Sequence, residues 1–239
     1  IADYDMIREG DRILIGVSGG KDSLSLLQIL YHPTPSAPLK LALAVSPEDP
    51  EDEGLKPASL TDYYQSLGLR CHFEHQPILE EAKTRMQGES FCAYCARMKR
   101  GIMYRTCREN GYNVLALAQH LDDLAESFMM SAFHKGKLET MKAHYTNDAG
   151  DIRVIRPLVY ARENQMAEFA KTAGLPIIPD SCPACFSAPT QREYFKQLLR
   201  QEELKNKQLY WSLLSAMRPL MDDSNADSKK QSREQFSNS

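Results

Sequence analysis

Apolar and polar positions along this chain follow a strand–helix rhythm. A short apolar run over residues 12–17 ends in Ser18-Gly19-Gly20, and residues 22–30 then read as a helix. A second apolar strand, 39–45, is followed by an acidic loop at 48–53, a predicted helix near 58–67 and a strand over 69–74. Residues 97–110 read as a helix that stops at Gly111. A strand at 114–118, a helix at 121–133, a strand at 153–160 with Pro157 near its end, and a helix at 163–173 closed by Gly174 complete the alternation. From 189 to 221 the pattern is helical only, and 222–239 is polar enough to predict a disordered tail.

Five strands interleaved with helices predict an α/β fold built on a largely parallel five-stranded sheet. Ligands in such sheets bind beyond the carboxyl ends of the strands, at a topological switch point. The Ser18-Gly19-Gly20 turn sits at such an end. We therefore expect one main domain over 1–188, a helical segment over 189–221 and a tail over 222–239. There is no internal repeat.

Composition narrows the class only a little. With 239 residues the chain can bury a core without staples, and 42% hydrophobic with 26% charged residues is ordinary for a globular protein. No apolar run approaches the roughly 18 residues that a membrane span needs. The chain opens on Ile1 with no basic-then-apolar leader, from which we expect a cytoplasmic protein. A net charge of -3 means that any nucleic-acid contact must come from a local basic patch. Six cysteines then argue for metal or redox chemistry rather than a disulfide framework. Cys71, alternating with Leu69 and Phe73, reads as the inward face of a half-buried strand, and Cys107 as a buried thiol on a helix. The other four form two C-x-x-C pairs.

Three motifs carry the candidate chemistry. In Ser18-Gly19-Gly20-Lys21-Asp22-Ser23 a strand delivers a Gly-Gly turn to a helix N-terminus, where backbone N–H groups and the dipole favour an anion. It is not a Walker A loop, because Ile15 occupies the first glycine position and Asp22 follows Lys21. A simple turn with a capped helix explains the same residues about equally well. Next, Cys92-Ala93-Tyr94-Cys95 stands immediately ahead of a basic helix, whose N-terminus, with Arg97 and Lys99, would lower the thiol pKa values. Its counterpart, Cys182-Pro183-Ala184-Cys185, follows a proline-rich segment. Structural zinc leads on spacing alone, with an iron–sulfur cluster or redox thiols as alternatives. Third, in Ala118-Gln119-His120-Leu121-Asp122-Asp123 a strand gives way to a helix, and paired carboxylates there could hold Mg²⁺ against a triphosphate. The alternative is Asp122 as helix cap with Asp123 as a first-turn charge.

The first motif resembles the SGGxDS signature of the PP-loop ATP pyrophosphatases. All three motifs in this order, with Val154-Ile155-Arg156-Pro157-Leu158, Ala161-Arg162-Glu163 and Pro176 to Pro179, resemble the tRNA 2-thiocytidine synthetases, from about residue 13 to 221. That resemblance implies a Rossmann-like, adenine nucleotide alpha hydrolase-like fold and ATP-dependent thiolation of tRNA in the anticodon loop. ATP would sit on Ser18, Gly19, Gly20, Lys21, Asp22 and Ser23 with Ala118 and Asp123 nearby, and Asp22 with Asp123 would hold Mg²⁺. It implies a [4Fe-4S] cluster with one open iron on Cys92, Cys95 and a third cysteine. Cys185 matches that third position better than Cys182, because it keeps the cysteine-to-proline spacing to Pro189. In this reading the base carbonyl attacks the α-phosphate, and sulfur carried on the open iron displaces AMP. Lys99, one turn past Cys95, would neutralise developing charge.

The chain departs from the family pattern where Ala118-Gln119-His120 replaces Gly-His-His and Ser127 replaces threonine. The zinc-finger cysteines of the related 2-thiouridine synthetases are absent, which favours the cytidine branch. Arg97, Lys99, Arg100, Arg105 and Arg108 on one helix, with Lys135, Lys137 and Lys142 beyond the Asp-Asp helix, form a candidate patch for tRNA phosphates. Tyr94 and Tyr104 are candidates to stack a loop base. The expected partners are tRNA and a sulfur donor such as a cysteine desulfurase, with no membrane and a homodimer as the assembly allowed. Rival readings are a 2-thiouridine synthetase, a non-thiolating adenylating enzyme, and a zinc-stabilised nucleotide-binding module.

Overall fold

The computed structural model describes residues 1–32, 40–45, 57–73, 81, 91–178 and 190–222. Strands β1 (Arg12–Val17), β2 (Lys40–Val45), β3 (Arg70–Phe73), β4 (Val114–Ala116), β5 (His144–Thr146) and β6 (Arg153–Ile155) form one sheet in the order β3-β2-β1-β4-β6-β5. Every neighbouring pair is parallel except β5 with β6. The helices are α1 (Lys21–Tyr31), α2 (Pro57–Ser66), α3 (Phe91–Asn110), α4 (Leu121–Lys135), α5 (Glu163–Thr172), α6 (Gln191–Lys205) and α7 (Leu209–Met221).

Side-chain alternation divides the interior in two. On β1, Ile13, Ile15 and Val17 enter one core and Leu14 the other; on β4, Val114 and Ala116 oppose Leu115 in the same way. Both faces are therefore dry, as a parallel sheet covered by helices requires. The larger core gathers Leu24 and Leu27 of α1, Leu60 and Tyr64 of α2, Leu124 of α4, Met166 of α5, Leu199 of α6 and Tyr210, Leu214 and Met217 of α7. The smaller core holds Ala42, Ala44 and Cys107, with Met103 packed against it. Its small residues let α3 lie close. A Cβ built on Gly16 would stand 2.9 Å from Met103 Sδ, so a larger residue there would press on the Met103 side chain of α3.

The parallel α/β architecture is as the pattern predicts, with three corrections. Among the described residues the sheet has six strands rather than five. The extra one, β5, is a three-residue antiparallel edge, too short for alternation to reveal. The strand expected over 153–160 ends at Ile155, because Arg156 onward forms a turn in which the amides of Val159 and Ala161 donate to Arg156 and Leu158 carbonyls. Helix α3 begins at Phe91, so the first C-x-x-C lies in its first turns rather than ahead of it. Cys71 is half-buried and Cys107 fully buried, with burial pushing the Cys107 thiol up to about 12. The acidic stretch at 48–53, the segment holding Cys182 and Cys185, and the tail from 223 lie outside the described residues. Among the described residues no helix is long and apolar enough to cross a membrane.

Candidate active site

β1 lies between β2 and β4, and the chain runs from β1 out to β2 and β3 before returning to β4. The carboxyl ends of β1 and β4 therefore flank the switch point of the sheet. The turn after β1 is closed by its own serines. Ser18 N–H donates to Ser23 Oγ (3.2 Å), Gly20 N–H to Ser18 Oγ (3.4 Å) and Ser23 Oγ to the Gly20 carbonyl (3.0 Å). Gly19 has φ +83°, a conformation that favours glycine, and a Cβ there would come within 2.9 Å of Leu60 Cδ1. Gly20 is the N-cap of α1 and has no side chain to cap it, which leaves the first-turn N–H groups to the concave side of the turn.

Three aspartates and one histidine meet beside this turn. Asp22 Oδ2 accepts from Lys21 Nζ at 3.1 Å, whereas Asp22 Oδ1 is buried with no hydrogen-bond partner. Asp123 Oδ2 accepts the backbone N–H of His120 at 3.0 Å, capping α4, and its Oδ1 accepts from Arg192 Nη2 at 3.1 Å. The buried His120 ring stands between them. Its Nε2 is 3.8 Å from Asp22 Oδ1 and 3.5 Å from Asp123 Oδ2, and its Nδ1 is 3.6 Å from Asp122 Oδ2. An orphaned, buried carboxylate oxygen is costly without a partner. Asp22 with Asp123 therefore suits a hard divalent cation, which prefers one or two carboxylates and phosphate oxygens.

Asp122 does something else. It is buried, accepts the Glu163 N–H at 2.8 Å and receives Arg162 Nε and Nη2, each at 3.2 Å to Oδ1. It caps α5, not its own helix, which corrects the alternative in which Asp122 caps α4. Arg162 continues to Glu203 of α6 (2.7 and 3.0 Å) and lies 3.3 Å above the Tyr210 ring. Glu163 in turn receives Lys21, Lys196 and Arg200. Burial alone would raise the Glu163 carboxyl, but the Lys196 hydrogen bond and the charges of Lys196 and Lys21 outweigh it and hold the group down at about 2. A cavity of about 300 Å³ opens here, lined by Lys21, Asp122, Arg162, Glu163, Arg200 and Tyr210 among others.

A family model described as a PP-loop domain matches residues 2–206. The tRNA-cytidine(32) 2-sulfurtransferase of Pelobacter propionicus is 40% identical over 220 residues, which is 91% of this chain and 81% of that protein. The enzyme of the same name from Geobacter sulfurreducens is 39% identical over 220 residues, 91% of this chain and 85% of that one. The chain belongs to the tRNA-cytidine(32) 2-sulfurtransferase family of PP-loop proteins. Among solved structures, the U34-tRNA thiolase NcsA of Methanococcus maripaludis, determined with its [4Fe-4S] cluster, matches with a TM-score of 0.73 and 21% identity over 91% of this chain and 74% of that one. That likeness shows a common fold.

The residues expected from the sequence are brought together unevenly. The Ser18–Ser23 turn, His120 and Asp123 meet, and Ala118 is half-buried against the larger core. Cys95 is half-buried on α3 and Lys99 is exposed one turn later. Cys185 lies outside the described residues, as does the side chain of Cys92. Among the described residues no three His, Cys, Asp or Glu side chains form a metal-holding group. Gln119, one departure from the family pattern, accepts from Arg156 Nε at 2.9 Å and ties the loop after β4 to the end of β6. Tyr94 is buried and has Arg97 over its ring (5.3 Å), which corrects its assignment as a stacking platform. Tyr104 packs against the smaller core and hydrogen-bonds Tyr145 at 3.3 Å. Arg108 forms an exposed two-pronged pair with Asp151 (2.6 and 3.2 Å). The sequence reading missed Arg192, Lys196 and Glu203. The signal for the first two was their spacing, which with Arg200 is four residues each, one face of a helix.

Proposed function

We propose that this chain is an ATP-dependent tRNA thiolase that converts an anticodon-loop cytidine to 2-thiocytidine. The observation that carries the reading is the meeting of the Ser18–Ser23 turn with the orphaned Asp22 oxygen and Asp123 at the sheet's switch point, in a chain whose relatives are 2-sulfurtransferases.

Backbone N–H groups at the start of α1, with Lys21, bind and orient the triphosphate. Asp22 and Asp123 would hold Mg²⁺, which would supply neutralisation of the phosphate charge. The cytosine O2 attacks the α-phosphate, the bond to pyrophosphate breaks, and the base is left as an O-adenylate. Sulfur then bonds to C2 and AMP departs with the original oxygen. Cys92, Cys95 and Cys185 would hold a [4Fe-4S] cluster, which would supply a place to keep sulfide beside the activated base; sulfur arriving as a persulfide from a donor such as a cysteine desulfurase would need a two-electron reductant to reach that level. Cys95, in the first turns of α3, has the soft donor chemistry such a cluster needs. Lys99, exposed one turn on, meets negative charge on the base or phosphate. The exposed Arg97, Arg105, Lys135 and Lys137 steer the tRNA backbone.

The reaction class is tested by ATP labelled at the α-phosphate, incubated anaerobically with reconstituted protein, sulfide and tRNA. Label should appear in AMP, one for each sulfur transferred, and only when tRNA is present. Label in ADP would contradict the reading.

A further inference from the structure

Helix α6 lies outside the three motifs, yet one of its faces reaches both halves of the crevice. Arg192 pairs with Asp123 (3.1 Å) and with buried Glu126 (2.7 Å). One turn on, Lys196 Nζ lies 2.8 Å from Glu163 Oε1. Lys21 Nζ lies 3.3 Å from that same oxygen. Two ammonium groups from distant parts of the chain thus converge on a single carboxylate oxygen, one of them from the first residue of α1 next to the Gly-Gly turn. Two cations so close repel one another unless an anion stands between them. Glu163 now fills that place, and its other oxygen already faces Arg200 at 3.4 Å. The lysines are mostly shielded, with side chains 27% and 29% exposed, whereas Arg200 is 60% exposed. A rim ion pair for stability alone would not need the second lysine.

We propose that Lys196 is a second polyphosphate-binding residue, carried by α6 to stand beside Lys21, and that Glu163 holds the place of a β- or γ-phosphate oxygen until nucleotide arrives. The proposal rests on the reading that this chain uses ATP, and it assigns the helical segment after residue 190 a part in the nucleotide site. On phosphate entry the Glu163 carboxylate passes towards Arg200 and the two lysines transfer to the phosphate. Because only the outer phosphates are contacted, the interaction is absent from AMP.

The test is calorimetric titration of the full chain with Mg²⁺ and, separately, ATP, inorganic pyrophosphate and AMP. Lys196→Ala should weaken pyrophosphate and ATP binding roughly 10- to 100-fold, the worth of a charge-assisted hydrogen bond, and leave AMP binding within about twofold. Lys196→Arg should restore most of the loss, and Lys205→Ala, at an exposed lysine of the same helix that pairs with Glu202 instead, should leave the affinity for all three ligands unchanged. If Lys196→Ala weakens all three ligands equally, or none, the proposal is wrong while the ATP reading stands. If the unaltered protein binds neither ATP nor pyrophosphate, the ATP reading fails and the proposal with it. Should Lys196→Ala not fold, Lys196→Gln takes its place, and ATP and pyrophosphate affinities unchanged in that variant would overturn the proposal equally well.

Discussion

Replacing Asp22 or Asp123 with alanine is expected to lower AMP formation by roughly 100- to 1000-fold, the scale of a lost electrostatic stabiliser in a preorganised site. The fold should barely respond. Asp22 offers a buried oxygen that no protein group uses, and its pair with Lys21 is partly exposed; such pairs contribute little. Asp123 caps α4 and binds an exposed Arg192, so its loss costs about 1 kcal/mol, the usual worth of a cap. Asp122→Ala gives the opposite profile. It removes the partner of Arg162 and the cap of α5 from a buried position, at a cost of about 3 kcal/mol, or roughly 6–12 °C in melting temperature for a chain of this size. Initial rates of AMP release beside thermal melts of the three variants check this. An Asp22→Ala or Asp123→Ala protein that turns over ATP at near-normal rates would remove that residue from the site.

This division of labour between adjacent aspartates could not be read from the sequence. Asp122 and Asp123 stand side by side at one helix start, and nothing local says that one turns to α5 while the other faces the crevice. The main strands were legible because a parallel sheet buries both faces and so writes continuous apolar runs at 12–17 and 39–45. The Ser18-Gly19-Gly20 turn was legible because its backbone favours glycine at position 19. The edge strand β5 was not, since three residues carry no period. Tyr94 looked available because an aromatic residue beside arginines suits an RNA surface, yet helix α3 starts early enough to bury it. Lys196 was hidden for another reason. On a charged helix a cation reads as solvated until the partner it reaches, here Glu163 more than thirty residues earlier, is known.

The second large effect concerns the paired cysteines. Three ligands, as the family resemblance implies, leave one of the four paired thiols dispensable, and the spacing from Cys185 to Pro189 selects Cys182 as the spare. Cys92→Ala, Cys95→Ala and Cys185→Ala should each lose iron, sulfide and thiolation, whereas Cys182→Ala keeps most of all three. A closed four-cysteine zinc site predicts otherwise, because removing any one thiolate from a tetrahedral structural site damages metal binding and stability together. A fully cysteine-ligated cluster would likewise make all four essential. Elemental analysis and visible absorbance of the anaerobically purified variants separate these cases. Stoichiometric zinc without iron in the unaltered protein, or a Cys182→Ala variant as inactive as Cys185→Ala, would overturn the three-ligand assignment.

The most direct measurement of the central claim is nucleoside mass spectrometry of tRNA lacking thionucleosides, after anaerobic incubation with the reconstituted protein, ATP, Mg²⁺ and sulfide. The account predicts 2-thiocytidine within the anticodon loop, formed only with ATP and only by the iron-loaded protein. A 2-thiouridine product, or AMP release with no thionucleoside at all, would contradict it.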